Sequence, residues 1–254
     1  MTARAFELWR GDAEGGEFVP YEAEAGEGTV VLDAVREIQR TSAPDLAVRW
    51  NCKAAKCGSC SAEINGRPSL MCKTRLDHLP EDEPVRVEPL HAFPVIRDLV
   101  TDVSWNYEVN KAIPPVTPAP DAEWSIGQED VDRMSEFRKC IECFLCQDVC
   151  HVLRDHRLHE GFIGPRFLVY VAALEMHPLD VEDRLGELRT SQGIGYCNIT
   201  KCCSKVCPES IHITDNGIIP LKERVVDDFY DPLGWFWRRL KNKSDRQNVE
   251  ELKR

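Results

Sequence analysis

All twelve cysteines of this 254-residue sequence fall into three groups, and thiolates at short fixed spacings make metal sites. The first group, Cys52, Cys57, Cys60 and Cys72, reads C-x4-C-x2-C-x11-C. That is the plant-type spacing for a flat 2Fe–2S rhomb, gripped by one loop and a distant fourth ligand. Gly58 and Ser59 let backbone N–H groups approach the sulfurs. Structural zinc is the competing use, but zinc favours paired C-x2-C knuckles and Cys52 and Cys57 do not form one.

The second group, Cys140, Cys143, Cys146 and Cys150, has the bacterial C-x2-C-x2-C-x3-C spacing. Three of its thiolates grip three corners of a cubane and the fourth crosses to a second cluster. The third group supplies that partner. Counting back from Cys207-Pro208 gives Cys203, Thr200 and Cys197, the same repeat with a hydroxyl where one thiolate belongs. Cys140, Cys143, Cys146 and Cys207 then make a full set for a 4Fe–4S cluster. Cys150, Cys197 and Cys203 offer three thiolates, which suits a 3Fe–4S cluster. A 4Fe–4S cluster with an open corner is the chemical alternative and would suit a hydratase better than an electron relay. Cys202 is out of register and reads as a free thiol beside a ligand.

The surrounding composition is that of an ordinary globular protein, 43% hydrophobic and 30% charged. A net charge of -11 offers no basic field for nucleic acid. The longest apolar run, Phe167 to Leu174, is far too short to span a bilayer, and the N-terminus shows no secretion signal. The expectation is a soluble or peripheral protein from a reducing compartment, where clustered cysteines hold metal rather than disulfides. No serine triad, phosphate loop or dinucleotide glycine fingerprint is evident, so no substrate chemistry is expected in this chain.

The elements that must position the cysteines are legible in outline. "RAFELWR" and "EFVPYEAE" alternate as strands across the "GDAEGG" turn. "TVVLDAVREIQR" puts Val31, Val35 and Ile38 on one helical face, with Thr29 as its N-cap. Asn65-Gly66 marks a hairpin within "SAEINGRPSLMC", and "EPVRVEPL" closes the unit as a strand. The first cysteine group lies in the loop before that hairpin. The proline-rich stretch "NKAIPPVTPAPDAEW" reads as a linker or surface strap. Beyond it the pattern is helical, in "QEDVDRMSEFRKC", "GPRFLVYVAALEMHP" and "DVEDRLGELR", with clusters expected to form much of the core. The C-terminal tail sets Phe229, Tyr230, Trp235, Phe236 and Trp237 before Arg238, Arg239, Lys241 and Lys243, which suits a membrane interface or a partner subunit.

The order of the three blocks, with "CGSC", "ING", "VIRDLVTDVSWNY", "CIECFLC", "FIGPRFL" and "CSKVCP", resembles the iron–sulfur subunit of succinate dehydrogenase and fumarate reductase. The resemblance implies an α+β chain. A β-grasp ferredoxin domain would span residues 1–105, a linker 106–124, an α-helical two-cluster ferredoxin domain 125–225 and a tail 226–254. It further implies a relay from the FAD of a flavoprotein subunit, through 2Fe–2S, 4Fe–4S and 3Fe–4S clusters, to quinone at a membrane anchor. The chain would then sit peripherally on the cytoplasmic face of the plasma membrane, held by anchor subunits. Members of the family carry Pro after the cysteine matching Cys150, then a tryptophan pair lining the quinone pocket. Here His151 replaces the proline and Arg154 and Asp155 take the tryptophan positions, so the usual quinone pocket is not expected: the quinone sits elsewhere or another carrier of the membrane subunit takes the electrons, and His151 is the residue to watch as a quinone contact. Fumarate reduction, or a freestanding multi-cluster ferredoxin, are the alternative functions.

Overall fold

A computed structural model describes residues 2–232 and 234. Alternating apolar residues make β1 (Thr2–Asp12) and β2 (Gly15–Ala25) an antiparallel hairpin, with Phe6 opposite Tyr21 and Leu8 opposite Val19. Helix α1 (Val31–Thr41) buries Val31, Leu32, Ala34, Val35 and Ile38 against the sheet. Its cap differs from expectation. The N-cap is Val30, with no side-chain cap bond, while the Thr29 hydroxyl accepts from Gly26 N–H at 2.9 Å and closes the preceding turn.

Strands β3 (Ser61–Ile64) and β4 (Arg67–Leu70) form the second hairpin, and Asn65 and Gly66 both take positive φ, 49° and 73°, as its two-residue turn requires. Strand β5 (Val85–Glu88) then enters parallel to β1, pairing Phe6 with Val85 and Leu8 with Val87. This central parallel pair, reached through a crossing helix, is the β-grasp arrangement. Two further short strands, β6 (Val95–Arg97) and β7 (Val100–Thr101), extend the sheet beyond β1.

Helix α2 (Ser104–Ala112) runs through the first part of the segment expected to be linker, so the irregular strap begins at Ile113. The strap is pinned down. Arg184, 1% exposed, donates to the carbonyls of Pro114 (3.0 Å) and Pro115 (2.8 Å). Asp180 pairs with the same arginine and accepts from Thr117 N–H at 2.9 Å. This use of Asp180 and Val181 corrects the expectation that "DVEDRLGELR" is helical throughout. Its first half pairs with the strap, and only Leu185–Arg189 is helical.

The helical half comprises α3 (Gln128–Ser135), α4 (Leu145–Asp148), α5 (His151–Arg154), α6 (Gly164–Glu175), α7 (Leu185–Arg189), α8 (Cys202–Val206) and α9 (Ile219–Tyr230). At its centre is α6, whose Phe167, Leu168, Val169, Val171, Ala172 and Leu174 are buried in an apolar core continuous with that of the sheet half. Cys143, Cys146, Cys150 and Cys203 are part of that same core. No helix among the described residues is long and apolar enough to cross a membrane. Phe229 and Tyr230 stack under the Arg189 guanidinium at 4.7 and 5.2 Å. Trp235, Phe236, Trp237 and the basic residues after them lie outside the described residues.

Candidate metal centres

The first loop curls through three left-handed residues, Lys53, Ala55 and Gly58, which turn its N–H groups inward onto sulfur. Cys52 Sγ accepts from Ala54 and Lys56 N–H, both at 3.3 Å, and Cys57 Sγ from Cys52 N–H at 3.4 Å. Cys72, at the end of the β4 hairpin arm, donates its N–H to Cys60 Sγ at 3.5 Å and so closes the set. Against the opposing effect of burial, hydrogen bonds from Ser59 and the Cys52 backbone bring the Cys57 thiol down to about 7. Burial pushes the Cys60 thiol the other way, up to about 12, and cationic iron would hold it as thiolate; the convergent N–H groups fit an electron-rich 2Fe–2S rhomb.

The second and third blocks repeat one backbone pattern. A single 3₁₀ turn precedes the first cysteine, Phe137–Lys139 in one copy and Ile194–Tyr196 in the other. Two left-handed residues then bracket the next ligand position, Glu142 and Phe144 (φ 54° and 59°) around Cys143, Ile199 and Lys201 (both 62°) around Thr200. A short helix follows, carrying Cys146 in α4 and Cys203 in α8. Thr200 therefore stands where Cys143 stands in the other copy. Cys202 Sγ lies 3.3 Å from the Thr200 hydroxyl.

Cys140, Cys143, Cys146 and Cys207 line one recess of about 390 Å³, open space at its mouth included, with Arg166, Val169, Ile211 and Ile213. Cys207 reaches it from the other block, as the crossover spacing requires. Burial pushes Cys143 up to about 12 and Cys146 well above its ordinary value. Such sulfurs do not ionise together unaided, whereas cationic iron at their centre would hold all of them as thiolates. Beside them, the buried Nε of Arg166 has no acceptor, a donor left facing an unfilled demand. The residues fit a 4Fe–4S cluster. At the third group, Cys150 is pushed to about 11 by burial, with Cys202 and Cys197 adding to the shift, and Cys203 Sγ lies 3.4 Å from Thr214 Oγ1. His151 opens α5 next to Cys150, its Nε2 3.1 Å from the Asn198 amide of the third block.

The first and second sites touch. A Cβ on Gly58 would fall 2.6 Å from Cys143 Cα. Ser61 Oγ lies 2.8 Å from both the Gly58 and the Cys143 carbonyl oxygens and can donate to either.

Arg154 is engaged within the chain. It forks onto Glu63 of β3 across the domain boundary, with Nη2 3.0 Å from Oε2, and also donates to His91 Nδ1 at 2.7 Å. His91 Nε2–H is thereby left to donate to Glu88 at 2.9 Å. Glu63 is fully buried, as is Asp148, which lies between Cys146 and Cys150. Asp148 Oδ1 accepts from Ala92 N–H at 2.8 Å, and its buried Oδ2 has no hydrogen-bond partner. The sequence reading missed Glu63, Asp148 and Arg166. Each is a charge inside an otherwise buried stretch, and that conflict is the signal that could have flagged them.

Burial, opposed by the Ala92 bond and reinforced by Glu63, raises Asp148 to about 7, against about 3.9 in an unfolded chain. A carboxyl whose folded value is raised binds more protons when native, so its contribution is complete below about pH 4 and is lost as pH rises towards 7. The thermal midpoint of the assembled protein should fall between pH 5 and pH 8. Asp148→Asn should flatten that slope, and an unchanged slope would remove Asp148 as its source.

Residues 5–108 match the family model for a 2Fe-2S iron-sulfur cluster binding domain, and residues 136–211 that for a 4Fe-4S dicluster domain. The chain is 34% identical over 203 residues to the fumarate reductase iron-sulfur subunit of Mycobacterium tuberculosis, covering 76% of this chain and 80% of that one. It is 28% identical over 236 residues to the succinate dehydrogenase iron-sulfur subunit of Paracoccus denitrificans, covering 89% of each. A solved chain of the Mycobacterium smegmatis Sdh1 complex in the apo form superposes with a TM-score of 0.88 at 59% identity, over 91% of this chain and 98% of that one.

Proposed function

The chain belongs to the family of iron–sulfur subunits of succinate dehydrogenase and fumarate reductase, and on that premise we propose how its cysteines divide the work and which way it runs. Its role is electron transfer within an oxidoreductase complex. Cys52, Cys57, Cys60 and Cys72 hold the 2Fe–2S cluster. Cys140, Cys143, Cys146 and Cys207 hold the 4Fe–4S cluster. Cys150, Cys197 and Cys203 hold a 3Fe–4S cluster. When bound, these groups supply one-electron carriers between the FAD of a flavoprotein subunit and a quinone at a membrane anchor.

The observation that carries the reading is the recess in which Cys207 joins three cysteines of the other block, because only a two-cluster exchange demands that crossing. The residues' own part is to bind and orient. The inward N–H groups of the first loop favour thiolate. The Gly58–Cys143 approach holds the first and second sites in contact. His151 and Asn198 present polar groups beside the third, and His151 is the quinone contact of this reading. Succinate oxidation is the direction of this reading and rests on the 59% identity to a chain of an Sdh1 complex; among the curated relatives the fumarate reductase subunit, at 34%, is nearer than the succinate dehydrogenase subunit, at 28%. The subunit sits peripherally on the cytoplasmic face of the plasma membrane.

Thr200 gives the test. EPR of the oxidised complex should show a three-iron signal, and Thr200→Cys should replace it with a four-iron centre, since the new thiolate occupies the position Cys143 has in the other copy. A variant that keeps the three-iron signal would overturn the ligand count.

A further inference from the structure

Arg166 is the one charged residue on the buried face of α6, at the second position of "PRFLVYV". Its side chain is 8% exposed, and it lines the same recess as Cys140, Cys143, Cys146 and Cys207. One acceptor is visible: Nη2 donates to Glu142 Oε1 at 2.6 Å. The buried Nε has none. Glu142 lies between Cys140 and Cys143 in a left-handed conformation, and its side chain is half exposed.

We propose that Arg166 and Glu142 form a charge pair that sets the reduction potential of the second centre, the arginine raising it and the glutamate partly offsetting the rise. The inference rests on the assignment of a 4Fe–4S cluster to this recess. Adding an electron adds a negative charge, and a fixed cation in a site screened from water favours that reduced form. Burial of Arg166 preserves the effect, while the exposed Glu142 is screened by solvent and cancels only part of it. A guanidinium keeps its charge across the working pH range, so the bias is constant. A lone Nε–H donor at the recess would add a hydrogen bond to the cluster side, a second influence of the same sign.

The test is an EPR-monitored redox titration of the purified complex with wild-type, Arg166→Met, Arg166→Lys and Glu142→Gln chains. Arg166→Met should move the second centre to lower potential, with the reduced-to-oxidised ratio at a fixed poise falling about tenfold, which is about 59 mV for a one-electron couple. Arg166→Lys should recover most of the shift. Glu142→Gln should move it the opposite way, and because Glu142 is half exposed this variant keeps the fold even if Arg166→Met does not. The first centre should stay put in every variant. Potentials that do not move, or that move in one direction for both Met and Gln variants, would overturn the charge pair while leaving the cluster assignment standing. Absence of any four-iron signal in the wild-type complex would overturn the assignment and this inference together.

Discussion

Gly58→Ala is expected to cut electron passage between the first and second centres. The residue has φ +67°, a conformation that costs an L side chain about 1–2 kcal/mol. The larger problem is contact, because the added Cβ would lie 2.6 Å from Cys143 Cα and 2.9 Å from its amide nitrogen. Both are backbone atoms of a cluster-binding loop and cannot rotate away as a side chain would. Relief requires the two loops to separate, or Cys143 to leave its place in the four-cysteine recess. The combined loss of stability should be on the order of 2–4 kcal/mol. Gly66→Ala is the internal control. Its φ is +73°, yet a Cβ there meets nothing within 4 Å, so it carries the conformational cost alone. Rapid-freeze EPR after addition of succinate should show slowed or absent reduction of the second centre in Gly58→Ala and wild-type behaviour in Gly66→Ala. Wild-type reduction kinetics and iron content in Gly58→Ala would refute the contact as the route.

That contact illustrates what a sequence does and does not disclose. The spacing of the cysteines marks the three blocks and proposes a ligand set within each, because the separation of thiolates along a loop is a local quantity. The repeat also demands a partner block, and Cys207 does line the recess of Cys140, Cys143 and Cys146. The substitution of Thr200 for a thiolate was readable by register, and the bracketing left-handed residues at 199 and 201 show the physical ground: the backbone of both copies is wound the same way. The hairpin at Asn65-Gly66 was readable because its turn geometry is set by those two residues. Thr29 was misjudged because capping competes with a local turn, and the choice depends on where α1 meets the Thr74 and Met71 carbonyls. The partners of Glu63, Asp148, Arg154 and Arg166 were hidden for another reason. Their meetings bridge 91 residues in the Glu63–Arg154 pair and 24 in the Glu142–Arg166 pair, and periodicity carries no information about such pairings.

Arg154→Met should be the most destabilising of the charge removals, and the reason is what it leaves behind. Glu63 is fully buried in β3, and Asp148 is fully buried between two cysteines of α4 and its flank. Arg154 is the cation in direct contact with Glu63, and its side chain is 24% exposed. A buried ion pair adds little net stability over an apolar replacement of both partners, but removing one member strands the other and costs about 3–5 kcal/mol. The partial exposure of Arg154 admits some water and places the expected loss near about 3 kcal/mol. Because β3 follows Cys60 and α5 follows Cys150, the loss should fall on the boundary between the two cluster-binding units. Glu63→Gln in the same chain should recover most of the stability, a coupling that a double-mutant cycle on the denaturation of the complex would measure directly. Additive effects of the two substitutions would show that the pair is incidental. The Arg154 head group is committed to Glu63 and His91, so the KM for quinone should stay at the wild-type value in the folded Arg154→Met fraction. A raised KM would instead place Arg154 at the quinone site.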